Sequence, residues 1–319
     1  MDIIESIVLL FVGFVLLIKA SDIFVDAISS IATHFKMSKM MIALTVAAFG
    51  TCAPELAISF NSISSYQGDI ALANVIGSNI VNILLIVGLA AVVAPIKVKK
   101  SVIKKELPIL LLITSIFTIS LATHFLDQSS LFILTRVDGI LFILFFAVFI
   151  LYIISVVKMK QGFLETSKPK YNMFWSIVLT IVCCLIIIFA SDLVVENAKN
   201  LAEMANISTK IITMTVVVIG TSLPEMTMTV VAAKKGEFDI ALGNIIGTNI
   251  FNIGIVLGLP LLIFGGFASP HFNLIDIFVV LIAACTLYYF AKNDKVLRRR
   301  EGIAMILVFL AYYTYIFLQ

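Results

Sequence analysis

A chain of 319 residues in which 61% are hydrophobic and only 13% charged is not a soluble globule, whose apolar share is about 45–50%. The formal net charge of +3 gives no indication of nucleic-acid binding, because acids and bases stand in short clusters between long apolar runs. Such a composition describes an all-α integral membrane protein, with the lipid bilayer as its first partner.

Ten apolar segments follow in order, at roughly 3–31, 40–65, 70–94, 106–124, 132–157, 172–198, 210–233, 240–266, 273–291 and 302–318. Most are long enough to cross a hydrocarbon core of about 30 Å as a helix. The first is expected to be retained, since Asp2 and Glu5 stand where a signal peptide carries positive charge. Five segments fall in a first repeat at 1–160 and five in a second at 172–319, with a cytoplasmic connector at 161–171. An odd number per half turns the second copy upside down, giving ten transmembrane helices as two inverted five-helix repeats. Of the 22 Lys and Arg, 18 fall in one set of alternate loops and 3 in the other, and Lys19 alone lies within a span. By the positive-inside rule both termini are then extracytoplasmic, in a multi-pass protein of the cell (inner) membrane.

The two halves share a stretch. Gly50 to Ile83 aligns on Gly220 to Ile253 without a gap, with 15 identities over 34 positions. Within it Glu55 and Glu225 stand near the middle of apolar segments, where a carboxylate costs at least a few kcal/mol unless it faces a cavity or a partner. Pro54 and Pro224 precede them. Each removes a helical N–H, so the Gly50 and Gly220 carbonyls should lose their partners and both helices should kink or unwind. Such irregular backbone at membrane depth is tolerated where protein buries it or where it lines a cavity. Thr51 and Cys52 precede Glu55 by four and three residues, as Thr221 and Ser222 precede Glu225, so near-helical backbone puts each trio on one face. On the following helices Ser78 and Asn82 are spaced i and i+4, matched by Thr248 and Asn252. This is an oxygen-rich set suited to a hard cation such as Ca²⁺, which takes six to eight oxygens at about 2.3–2.6 Å.

Other residues carry plainer expectations. Asp69 and Asp239 read as helix caps, and Gly77, Gly88, Gly247 and Gly258 as places of close helix packing. Asn79 and Asn249 suit helix–helix hydrogen bonding at least as well as ligation, and Lys19 either pairs with Asp22 or snorkels. Cys183, Cys184 and Cys285 read as small buried residues. Tyr171, Trp175, Tyr312, Tyr313 and Tyr315 are expected in interfacial belts.

The paired motifs Gly-Thr-Cys-Ala-Pro-Glu (50–55) and Gly-Thr-Ser-Leu-Pro-Glu (220–225), each followed by Gly-Ser/Thr-Asn, closely resemble the alpha repeats of the calcium/cation antiporters, most of all their prokaryotic sodium/calcium exchanger branch. The resemblance covers nearly the whole chain. It implies a core of helices 2, 3, 7 and 8 across which helices 1 and 6 slide. It also implies a ligand set on Thr51, Glu55, Ser78 and Asn82 and on Thr221, Ser222, Glu225 and Thr248, joined by the carbonyls of Ala48 and Val218. Cys52 replaces a usual serine, Thr248 replaces a serine conservatively, and Asn252 stands where relatives often have an aspartate. The implied activity is a secondary antiporter exporting Ca²⁺ in exchange for Na⁺ by alternating access, with Ca²⁺/H⁺ exchange as the alternative and K⁺ involvement open. No enzyme and no cofactor are expected; Ca²⁺ and Na⁺ are transported ions, and protein partners are unassigned.

Overall fold

Among the described residues, long runs of Leu, Ile, Val and Phe with few breakers make helices, and the breakers set where those helices end. The computed structural model describes residues 3–126, 132–159, 168–205, 218–269, 272 and 274–318. Its helices are α1 (Ile3–His34), α2 (Lys39–Thr51), α3 (Ala53–Ser64), α4 (Gly68–Val93), α5 (Leu107–Leu126), α6 (Arg136–Met159), α7 (Met173–Met204), α8 (Val218–Thr221), α9 (Leu223–Lys234), α10 (Phe238–Phe264), α11 (Leu274–Asp294) and α12 (Arg299–Leu318). Among the described residues six helices are long and apolar enough to cross a membrane, or seven if the bent pair α2 and α3 is one span.

Burial sorts these helices into layers. In the most apolar window of α4 78% of residues are buried, and in that of α10 83%, against 22% for α1 and α6 and 33% for α7. The core is therefore built on α4 and α10, while α1 and α7 pack on each other at the periphery. Small residues let the central helices touch: Gly243 and Gly247 of α10 press on Ala43, Leu44 and Ala48 of α2. Gly88 packs on Gly302 of α12, and Gly258 on Gly139 and Phe142 of α6, in keeping with the packing role expected of Gly88, Gly247 and Gly258.

Cys285, expected to be buried, is exposed, and four further differences from the sequence reading concern local structure. Residues 132–134, expected to begin a helix, form a strand, β2 (Phe132–Leu134), antiparallel to β3 (Phe267–Ser269); a matching ribbon joins β1 (Ile96–Lys97) to β4 (Val296–Leu297). A short apolar run does not separate strand from helix by pattern alone. Asp69 and Asp239 lie in the first turns of α4 and α10 rather than at the caps, which are Gln67 and Glu237 without a side-chain cap bond. Asp239 instead meets Lys99 at 2.7 Å. Asp22 pairs with Lys235 at 3.0 Å, not with Lys19. Finally, Tyr312 and Tyr313 are buried, and the Tyr312 hydroxyl donates to Asp276 at 3.0 Å. The start of the expected 210–233 span lies outside the described residues up to position 217.

Candidate functional site

Proline decides where the two half-helices break. Pro54 and Pro224 fall at the first positions of α3 and α9, where the missing N–H costs nothing. One residue before each new helix, Cys52 and Ser222 interrupt the preceding one, and α2 and α3 meet at a bend of 50°. The freed carbonyls do not face an open cavity. Gly50 O accepts the Cys184 thiol at 3.3 Å and Gly220 O accepts the Ser191 hydroxyl at 3.0 Å, both from α7. Cys184 is thus more than a filler of apolar space.

Both glutamates follow their breaks into the core and are fully buried, at 0% exposure. They are close enough for Glu55 to feel the field of Glu225, and Cys52 feels both. Among the described residues neither carboxylate has a hydrogen-bond partner for either oxygen. The Thr51 side chain stands beside the Glu225 carboxylate, its hydroxyl directed along its own helix, 3.3 Å from Ala47 O and 3.4 Å from Ala48 O. Ala48 O also accepts the Cys52 N–H at 3.0 Å.

The second tier comes from the paired central helices. In α4 and α10 the backbone widens into π turns at Val81–Ile86 and Asn252–Leu257, which carry Asn82 and Asn252; such turns are frequent at functional sites. The packing is crossed: α3, bearing Glu55, lies on the Asn252 turn, while α9, bearing Glu225, lies on the Asn82 turn. Ser78, Asn82, Ser222, Thr248 and Asn252 are buried, and among the described residues their side-chain polar atoms have no hydrogen-bond partner. Orphaned polar atoms of this kind are rare in a folded protein and call for an occupant. Cys52 turns its sulfur to the Thr248 carbonyl at 3.9 Å. Thr221 is half-buried at the end of α8, and Val218 opens that helix. Asn79 likewise has unpartnered amide atoms, whereas Asn249 donates to Ile245 O at 2.7 Å within its own helix.

Two residues overlooked in the sequence complete the frame. Asn74 of α4 donates to Glu55 O at 3.1 Å and to Ser59 Oγ at 3.4 Å, and its repeat mate Asn244 donates to Thr229 Oγ1 at 3.3 Å. Asn244 Oδ1 also lies 3.5 Å from the Thr51 hydroxyl, joining the halves. Identity at 74 and 244 was the available signal, reinforced by the hydroxyls at 59 and 229. Beside the site, Phe49, Cys52, Ala53, Leu56, Ala57, Phe60, Phe251, Ile255 and Val256 line an apolar crevice of about 210 Å³. Among the described residues no group of three or more His, Cys, Asp or Glu forms, so the donor set consists of carboxylate, amide, hydroxyl and carbonyl oxygens. That chemistry suits a hard, oxygen-loving cation.

Known proteins resemble the chain along most of its length. A family model described as sodium/calcium exchanger protein matches residues 5–155 and 175–318. The chain is 37% identical over 313 residues to the putative antiporter CaxA of Alkalimonas amylolytica, covering 94% of this chain and 95% of the relative. It is 30% identical over 346 residues to the sodium/calcium exchanger MaX1 of Methanosarcina acetivorans, covering 98% of both. The structure of the sodium-calcium exchanger NCX_Mj soaked with 2.5 mM Na⁺ and 1 mM Sr²⁺ superposes with a TM-score of 0.82 at 32% identity, over 98% of this chain and 99% of that one.

Proposed function

The chain belongs to the sodium/calcium exchanger protein family, and from that premise we propose that it is a secondary antiporter exporting Ca²⁺ from the cytoplasm in exchange for Na⁺. The ions share one site formed by Ala48, Thr51, Cys52, Glu55, Ser78 and Asn82 from one half and Val218, Thr221, Ser222, Glu225, Thr248 and Asn252 from the other. Ten spans form two inverted five-helix repeats, at 1–160 and 172–319 about a connector at 161–171, with both termini outside the cytoplasm. The internal repeat supports this plan, as do the two ribbons, each of which pairs a strand of one half with a strand of the other.

The observation that carries the reading is the pair of fully buried glutamates, close to one another and, among the described residues, with no hydrogen-bond partner on any carboxylate oxygen. Two ionised carboxylates balance one Ca²⁺, and several Na⁺ bring the same charge in smaller steps. Occupancy by one ion therefore excludes the other, which is the physical requirement for exchange. An empty site with both groups ionised is costly to carry past a hydrophobic barrier, and this discourages leak.

The test is Ca²⁺ flux in proteoliposomes with an imposed Na⁺ gradient. Glu55→Gln and Glu225→Gln should each abolish exchange; wild-type exchange in either would sink the proposal. Uptake driven by a pH gradient in Na⁺-free buffer would assign the coupling to protons instead.

A further inference from the structure

Away from the glutamates, a second cavity of about 450 Å³ opens between the segment entering α5 and the end of α11. Lys100, Lys104, Lys292 and Lys295 line it, over a floor of Ile103 and Pro108. All four lysines are exposed. The Lys292 ammonium lies 5.7 Å from the centre of the Tyr288 ring one turn below. The β1–β4 ribbon fixes the two walls to each other, reinforced by a bond from Val98 N to Lys295 O at 2.8 Å.

Four ammonium groups around one cavity repel one another unless an anion is present, and the neighbouring carboxylates are engaged elsewhere. Asp294 pairs with Arg298 and Arg300, Glu301 with Arg300, Asp239 with Lys99, and Glu106 accepts from Tyr152. Among the described residues none of the four lysines has an ion pair. Below the cavity the bordering helices turn apolar side chains outward: Leu112 is 53% exposed and Ile119 59% on α5, and Ile282 50% on α11. The polar mouth therefore stands at the end of a lipid-facing apolar surface, the position of a phospholipid headgroup with its acyl chains alongside.

We propose that this cavity binds the phosphate headgroup of an anionic phospholipid. The inference depends on the chain being embedded in a bilayer and not on which ions cross it. Basic pockets between membrane helices recognise such headgroups through charge and hydrogen bonding, and Lys stems extend along the apolar wall while their ammonium groups meet phosphate. A lipid with two phosphates should bind more tightly than one with a single phosphate, because it balances more of the positive charge.

Native mass spectrometry of the purified full-length protein, titrated with diphosphatidylglycerol, phosphatidylglycerol or phosphatidylcholine, tests the site. The variant K100Q/K104Q/K292Q/K295Q should bind diphosphatidylglycerol at least about tenfold more weakly. A control removing the same charge from exposed positions outside the cavity, K36Q/K97Q/K105Q/R299Q, should bind within about twofold of wild type. Phosphatidylcholine should not bind at this site, and inorganic phosphate at equal concentration should not displace the lipid. Thermal melts of both variants establish that they fold. Wild-type lipid affinity in the cavity variant would overturn the proposal, as would equal losses in both variants; displacement by inorganic phosphate would overturn it in favour of a soluble anion.

Discussion

Replacing Gly247 by alanine would set a methyl carbon 2.7 Å from Ala48 Cβ, 2.8 Å from Leu44 O and 3.0 Å from Leu44 Cα. Ordinary contact begins at 3.4 Å, so α10 must part from α2 by roughly 0.7 Å, the difference between 3.4 and 2.7 Å. Two of the three obstacles are backbone atoms, and no rotamer change relieves them. Overpacking of this kind costs about 1–3 kcal/mol, of which the better helix propensity of alanine offsets about 1 kcal/mol. Stability should therefore fall by no more than about 2 kcal/mol, and the protein should still fold. The displacement falls directly on Thr248, the next residue, and on Cys52, whose sulfur faces the Thr248 carbonyl. Because Ca²⁺–oxygen distances span only about 0.3 Å, a shift twice that size should raise the half-saturating Ca²⁺ concentration by about tenfold or more. Gly88→Ala, somewhat less crowded with Ile306 Cγ1 at 2.9 Å and Gly302 O at 3.0 Å, should lower the melting temperature with a smaller effect on affinity. Concentration-dependent Ca²⁺ uptake in proteoliposomes, beside melts in detergent, measures both quantities. If Gly247→Ala kept wild-type half-saturation, the close approach of α10 and α2 would serve packing alone and the reasoning would fail.

Cys52→Ser exchanges a soft sulfur for a hard oxygen facing the Thr248 carbonyl; Na⁺ should bind more tightly by about 1 kcal/mol, or roughly fivefold, read as a lower half-saturating Na⁺ concentration. Asn244→Ala removes the donor to Thr229 and the oxygen facing Thr51, and should cost about 1–2 kcal/mol of stability together with slower exchange, whereas Asn244→Asp should keep much of the stability. Asp26 holds Lys170 and Lys235, the latter at 2.7 Å, and Lys235 also reaches the Asp22 backbone oxygen at 2.6 Å. The bond and charge of Asp26 make Lys170 harder to deprotonate than a free lysine. Asp26→Asn should cost less than about 1 kcal/mol but loosen α1 from the end of α9, raising turnover without changing half-saturation.

Much of the site was legible because membrane burial makes its polar residues conspicuous and the duplication marks them twice. Glu55 and Glu225 could be singled out on cost alone, and Pro54 and Pro224 on the missing N–H. What captured the released carbonyls could not be read, since Cys184 and Ser191 lie on α7, outside the repeated stretch, and their role exists only after the chain has folded. Asn74 and Asn244 were in plain view as identities, yet an asparagine on an apolar helix has no distinctive spacing until Ser59 and Thr229 are brought opposite. The strand at 132–134 was hidden for a different reason: three apolar residues carry no period.

One feature of the breaks reaches beyond the static site. Cys184 and Ser191 are seven residues apart on α7, about 10 Å along its axis, and each takes the loose carbonyl of a different half. A single rod is thus latched to both interruptions. Sliding α7 along its length by even one residue's rise of about 1.5 Å would strain the two latches together, so the half-sites would be released in step, with neither opening while the other stays fastened.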